Sequence, residues 1–95
     1  MIIKKHNSNG KLVLAICDSD IFGKCFEEGK KVLDLSSDFY RGDETDEKDI
    51  LGLVKKSYMI NAAGKEAVEF LKKHEFVEEV KEIDGVPYAQ VLIEN

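Results

Sequence analysis

The sequence predicts an α+β fold: a mainly antiparallel sheet of about five strands with two central helices packed on it, in the order β-β-β-α-α-β-β. Three observations lead there. The cluster Asn7-Ser8-Asn9-Gly10 near one end and Asp84-Gly85 near the other each separate two strand-like runs, the pattern of a β-hairpin. Between them, apolar residues recur at helical spacing after Thr45. Strands therefore group at the two ends and helices in the middle, and helices so placed bury their apolar faces on a largely antiparallel sheet. A chain of 95 residues holds one such domain, 1–95, rather than two.

Ile2 to His6 forms the first strand, and Leu12 to Cys17 the second. The second is an unbroken run of six apolar residues, which suits a strand covered on both faces. Asp18-Ser19-Asp20 ends it, with Asp or Ser placed to cap a short helical turn over Ile21-Phe22. Cys25-Phe26 is a short extended piece, Glu28-Gly29-Lys30 a turn, and Val32 to Leu35 a strand. Residues 36–44 read as a surface loop anchored by Phe39-Tyr40.

The first helix begins at Thr45 or Asp46, whose side chains suit a cap, with Glu47 and Asp49 in the first turn, where carboxylates complement the helix dipole. Ile50, Leu51, Leu53, Val54 and Tyr58 form its apolar face, and Lys55 and Lys56 sit near its C-terminal end. Asn61-Ala62-Ala63-Gly64 breaks or restarts the helix. Ala63, Ala67, Phe70, Leu71 and His74 form the apolar face of the second helix. The closing hairpin runs from Val80 to Ile93, with Ala89, Val91 and Ile93 on one side. Pro87 lacks a donor for the ladder, which places it at a sheet edge or a bulge.

Composition narrows function. Net charge is −5, which disfavours a protein that coats duplex DNA. Charge is uneven: residues 1–31 carry six Lys against four acids, and residues 32–52 carry two basic groups against seven acids. The positive segments, 1–31 and 53–75, form a basic face if the fold joins them. No apolar run approaches the roughly 20 residues that span a bilayer, and the N-terminal residues lack the pattern of a signal peptide. A cytoplasmic protein with no membrane partner is expected.

No constellation specifies chemistry. Cys17 with His6 or His74 as base is a conceivable nucleophile, but a thiol in an apolar strand is more often core. Cys17, Cys25, His6 and His74 show no metal-ligand spacing, and the acids at 43–49 fit a helix N-terminus better than a calcium loop. Neither a metal nor a cofactor is expected. Gly23-Lys24 and Gly64-Lys65 lack the rest of a phosphate-loop motif and read as turn glycines beside solvated lysines. Lys4-Lys5, Lys11, Lys30-Lys31, Lys55-Lys56, Lys65 and Lys72-Lys73, with Phe39 and Tyr40, suit RNA if they share one face, although no named RNA motif is present.

Several segments together carry a resemblance. Asp18, Gly23-Lys24-x-Phe26-x-Glu28-Gly29, Leu33-x-Leu35 and Phe39-Tyr40-x-Gly42 run through the first half. Asn61-x-x-Gly64-x-x-Ala67 and Gly85-Val86-Pro87-x-Ala89-Gln90-Val91 run through the second. This pattern resembles the small archaeal proteins of domain-of-unknown-function family 424 over nearly the whole chain. The resemblance implies a cytosolic archaeal protein with no catalytic residue to carry over, and a partner in the translation machinery: the ribosome, RNA or a translation factor. A thermophilic source would leave a Cys17–Cys25 disulfide open.

Within these segments Gly23, Gly29, Gly42 and Gly85 read as turn positions, and Lys24 and Glu28 as charged residues around a turn, able to pair with each other. The expected binding surface comprises Lys24, Glu28, Phe39, Tyr40 and Gln90, with Lys55 and Lys56. The leading function is a non-enzymatic binding module. The rivals are a small enzyme acting on a small molecule or nucleotide through Lys24 and Glu28 or Cys17, and a homodimer formed through an edge strand entered at Pro87.

Overall fold

The computed structural model describes residues 1–77 and 79–93. The described residues form eight strands, two α-helices and one 3-10 turn: β1 (Ile2–Ser8), β2 (Lys11–Cys17), β3 (Cys25–Glu28), β4 (Lys31–Asp34), the turn Asp38–Tyr40, β5 (Asp43–Glu44), α1 (Glu47–Lys56), β6 (Met59–Ala63), α2 (Lys65–Lys73), β7 (Lys81–Ile83) and β8 (Val86–Leu92). Six strands make one sheet in the order β5-β1-β2-β6-β8-β7, and β3 and β4 make a separate two-stranded hairpin. The α+β class and the mainly antiparallel sheet hold. The expected count of about five strands is too low, and the order lacks a strand between the helices.

The two tight hairpins form as their turn residues dictate. Asn9 and Gly10, at φ 53° and 78°, and Asp84 and Gly85, at φ 51° and 78°, each supply the paired positive φ of a type I′ turn. These turns set the registers Ser8↔Lys11 and Ile83↔Val86. From there the odd residues of β1 and the even residues of β2 point to one face of the sheet.

The missed strand is β6. It pairs parallel with β2, Ala15 opposite Asn61, and antiparallel with β8, Asn61 opposite Gln90. Alanine suits a helix as well as a strand, so Asn61-Ala62-Ala63 carries no signal that selects extended backbone. Tertiary pairing decides. As a result Tyr58 and Ala63 lie outside the helices whose faces they were expected to join. Pro87 is also displaced from its expected edge, because β8 pairs on both sides. It sits opposite Glu82, between two hydrogen-bonded pairs of the β7–β8 ladder, and its donorless nitrogen points past the end of β6. Its carbonyl accepts from Gly64 N–H at 2.8 Å.

Both helices cover one face. Asp46 caps α1 by accepting from Asp49 N–H at 2.9 Å, and α1 buries Ile50 and Val54. Helix α2 buries Ala67, Val68, Phe70 and Leu71. They pack on Ile3, Leu14, Ile16, Ile60, Ala62 and Val91 of the sheet to form the larger core. The β3–β4 hairpin covers part of the opposite face with Leu33 and Phe26, joined by Leu35 and Tyr40, over Cys17, Ala63 and Ile83. It reaches only the end of the sheet where β2 and β6 finish. Gly42 has no positive φ and is not a turn glycine; a Cβ there would run into the backbone oxygen of Ile3. No helix among the described residues is long and apolar enough to cross a membrane.

Candidate nucleic-acid interface

Two regions away from the larger core carry polar side chains, and they differ in how those groups are used. One is the corner where β2 and β6 end. Asp18 is 5 % exposed, and its carboxylate accepts from Glu66 N–H at 2.9 Å and Ala67 N–H at 2.7 Å. Asp18 thus caps α2, far along the chain, instead of the turn at Ile21-Phe22. Gly64, at φ 110°, stands directly beneath it, and a Cβ there would strike the Asp18 carboxyl group. The adjoining crevice of about 280 Å³ is lined by Asp18, Asp20, Lys65, Asp84 and Pro87 among others. Its one buried carboxylate is already occupied by backbone donors.

The other region is the part of the sheet that the β3–β4 hairpin leaves open. Register aligns Lys4, Ala15, Asn61 and Gln90 in one row across β1, β2, β6 and β8. His6, Val13, Met59 and Leu92 form the next row. Ala15 is buried, Lys4, His6, Val13, Met59 and Asn61 are half-buried, and Gln90 and Leu92 are exposed. Gln90 Nε2 lies 3.5 Å from Met59 Sδ, a weak contact that leaves the amide oxygen to solvent.

The 3-10 turn closes one side of this face. Phe39 stacks flat on His6, with ring centroids 4.6 Å apart and planes within 7°, and His6 Nε2 lies 2.9 Å from the Phe39 carbonyl oxygen. Tyr40 meets Phe39 edge-on at 5.1 Å. Phe39 is half-buried and lines a shallow depression with Lys4, His6, Asp38 and Arg41. Arg41 pairs with Asp38 at 3.3 Å, both well exposed.

Carboxylates border this face, at Asp38 and Glu79, but none stands on its strands. Nineteen of the 95 residues are acidic, yet none of the residues that β1, β2, β6 and β8 turn to this side is Asp or Glu. On flanking β5, Glu44 stands opposite Ile2 at the covered end. Ser19 and the terminal amine engage it there, and the Ser19 hydrogen bond, followed by the amine, holds its carboxyl below the usual range. Lys4 and Lys11 stand on the carboxylate-free strands.

The reactive groups are elsewhere. Cys17 is fully buried, and burial, then the charge of Asp18, pushes its thiol up to about 12. At neutral pH it is protonated and unsuited to attack. Burial, then Cys17, pushes the Tyr40 phenol up to about 12 as well. Cys17 and exposed Cys25 are both free thiols.

A family model described as "Protein of unknown function (DUF424)" matches residues 6–93. The chain belongs to this family. A solved structure, the crystal structure of an uncharacterized conserved protein from Methanopyrus kandleri, is similar at a TM-score of 0.79 and 26% identity, over 99% of this chain and 93% of that one. No curated protein matches.

The family segments of this DUF424 chain have distinct structural uses. Gly64 makes room for Asp18, Ala67 donates to it, and Asn61 reaches the open face. Glu28 does not pair with Lys24 among the described ion pairs; its carboxylate accepts from Asp84 N–H at 3.1 Å and ties the β3–β4 turn to the β7–β8 turn. Lys24 is exposed in the loop after β2. The expected site residues therefore separate: Phe39, Tyr40 and Gln90 border or occupy the open face, Lys24 and Glu28 belong to the hairpin end, and Lys55 and Lys56 end α1. The lysine pairs do not share one face, since Lys4 and Lys5 alternate across the sheet and Lys72-Lys73 end α2. Asn61 and Met59 were missed, and His6 was weighed only as a base for Cys17 or a metal ligand. Only the registers bring them together, and no local pattern announces a register between distant strands.

Proposed function

We propose that this protein is a non-enzymatic binding module whose open sheet face takes single-stranded RNA, with a component of the translation machinery as the source of that RNA. The observation that carries the reading is the absence of carboxylates from the open strands of a protein with net charge −5. Strands that bear no like charge suit phosphate, and the carboxylate beside them at Asp38 is paired with Arg41. Its other groups suit an unpaired strand: the His6–Phe39 stack offers aromatic surface to a base, Asn61 and Gln90 offer amides to base edges, and Lys4 and Arg41 offer cations to phosphates. A rigid sheet beneath them fixes their spacing.

Fluorescence anisotropy with a labelled, unstructured 12-nucleotide RNA tests this. Saturable binding at 50 mM salt is expected, weakening as salt rises. Phe39→Ala is expected to lower affinity about 5- to 150-fold, because base–aromatic stacking is worth about 1–3 kcal/mol, and Lys4→Glu to weaken binding with a shallower salt dependence. Absence of binding at 50 mM salt overturns the reading. Co-sedimentation with ribosomal particles in native extract, lost at high salt, tests the narrower claim about translation.

A further inference from the structure

A groove lies at the far end of the sheet, where the C-terminus of α1 on the helix side meets the start of β2. Among the described residues it is lined by Gly10, Lys11, Leu12, Lys56, Ser57, Tyr58 and Ile93, which include two lysines and no acid. The elements that form it are independent in sequence: the β1–β2 turn, the C-terminus of α1 and the end of β8. Tyr58 N–H donates to the Leu12 carbonyl at 2.8 Å, and Ile93 N–H donates to the Tyr58 carbonyl at 2.9 Å, so backbone bonds hold the floor. Lys11 Nζ lies 4.2 Å from the centre of the Tyr58 ring, which is 38 % exposed. That contact holds an ammonium over the groove without neutralising it, since its partner carries no charge.

Lys11 belongs to both regions. It lies two residues along β2 from Val13, on the same face, and Val13 stands opposite His6. Strand geometry then puts the backbone of Lys11 about 8 Å from that of His6. That is of the order of one nucleotide step along an extended strand.

We infer that this groove binds a backbone phosphate of the same single-stranded nucleic acid whose base stacks at His6–Phe39, with Lys11 and Lys56 as its cationic partners. The inference rests on the proposed RNA reading and adds a second, separately removable contact point. It also assigns Lys11 the role of the joint between the sheet face and the groove.

The test compares Lys11→Gln/Lys56→Gln with wild type and with Phe39→Ala, using the labelled 12-nucleotide RNA and a salt series, with thermal melts to establish that each variant is folded. Loss of the one phosphate contact is expected to lower the slope of log affinity against log salt by about 0.7 and to weaken binding roughly tenfold at low salt. Lys30→Gln/Lys31→Gln, on the distant β3–β4 turn, is expected to change neither. An unchanged slope in Lys11→Gln/Lys56→Gln, with Phe39→Ala still weakening binding, overturns the groove and leaves the sheet-face reading standing. A slope lowered equally by Lys30→Gln/Lys31→Gln also overturns it, because the effect is then net charge. Failure of the wild-type protein to bind RNA overturns both. Tyr58→Leu keeps the floor apolar and removes the aromatic seat of Lys11; a folded variant with a partial loss, smaller than that of the lysine pair, is expected.

Discussion

On the helix side of the sheet, Leu14, Ile16, Ile60 and Ala62 are at most 2 % exposed. On the other side, next to them in the same strands, Val13, Met59 and Asn61 are only half-buried, and Leu92 of β8 is 50 % exposed. The backbone is shared, so the strands themselves cannot cause the difference. Coverage causes it: two helices span one side, while a small hairpin covers only the end of the other. The covered side holds the fold together, and the open side is free to carry side chains chosen for a partner. Polar side chains divide in the same way. Asp18 is spent on the helix α2 N-terminus, whereas Gln90 and Asn61 hold few bonds within the chain.

Substitutions on adjacent residues of β6 test that contrast most strongly. Ile60→Ala is expected to cost about 2–5 kcal/mol in urea unfolding, and Met59→Ala less than half as much. Equal losses would break the comparison. The Asp18 corner comes next. Asp18→Ala strands two backbone donors and is expected to cost about 1–3 kcal/mol. Gly64→Ala is expected to destabilise by a similar amount, through its overlap with the Asp18 carboxyl group and its positive φ. Because the two residues touch, the double variant is expected to lose less than the sum.

A smaller effect is expected at alkaline pH. Cys17 and Tyr40 both have folded-state values raised to about 12, from 9.0 and 10.0. The folded chain therefore holds these protons more tightly than the unfolded chain. The associated stability is fully present below pH 9 and is lost as pH rises from 9 toward 12. Thermal melts across that window are expected to show a falling midpoint, with a shallower fall in Cys17→Ala. On the open face, Lys4→Glu and Gln90→Ala are expected to change unfolding free energy by no more than about 0.5 kcal/mol. A large destabilisation there would mean that this face also serves the fold.

Much of the fold was legible because its signals are local. Asn9-Gly10 and Asp84-Gly85 set their hairpins through two positive φ values each, and Asp46 with Asp49 begins α1 within four residues. Strand β6 was not legible, because Met59-Ile60-Asn61-Ala62-Ala63 fits either backbone and only pairing with β2 and β8 selects one. Of the candidate site, Phe39, Tyr40 and Gln90 stood out as an aromatic pair and as a polar residue in an apolar strand. Their neighbours Asn61 and Met59 did not stand out, and His6 stood out only as a base for Cys17 or a metal ligand. Glu28 and Lys24 were read as able to pair because they are near in sequence, whereas Glu28 accepts from Asp84 N–H.

The amino-acid sequence alone determined the turns, the helix starts, the alternation of most strands and the overall class, since each depends on conformational preferences within a few residues. Tertiary structure alone decided which strands are neighbours, where the small hairpin stops and which side chains are left uncovered. A row such as Lys4–Ala15–Asn61–Gln90 draws its members from four separate strands, and only long-range backbone pairing aligns them.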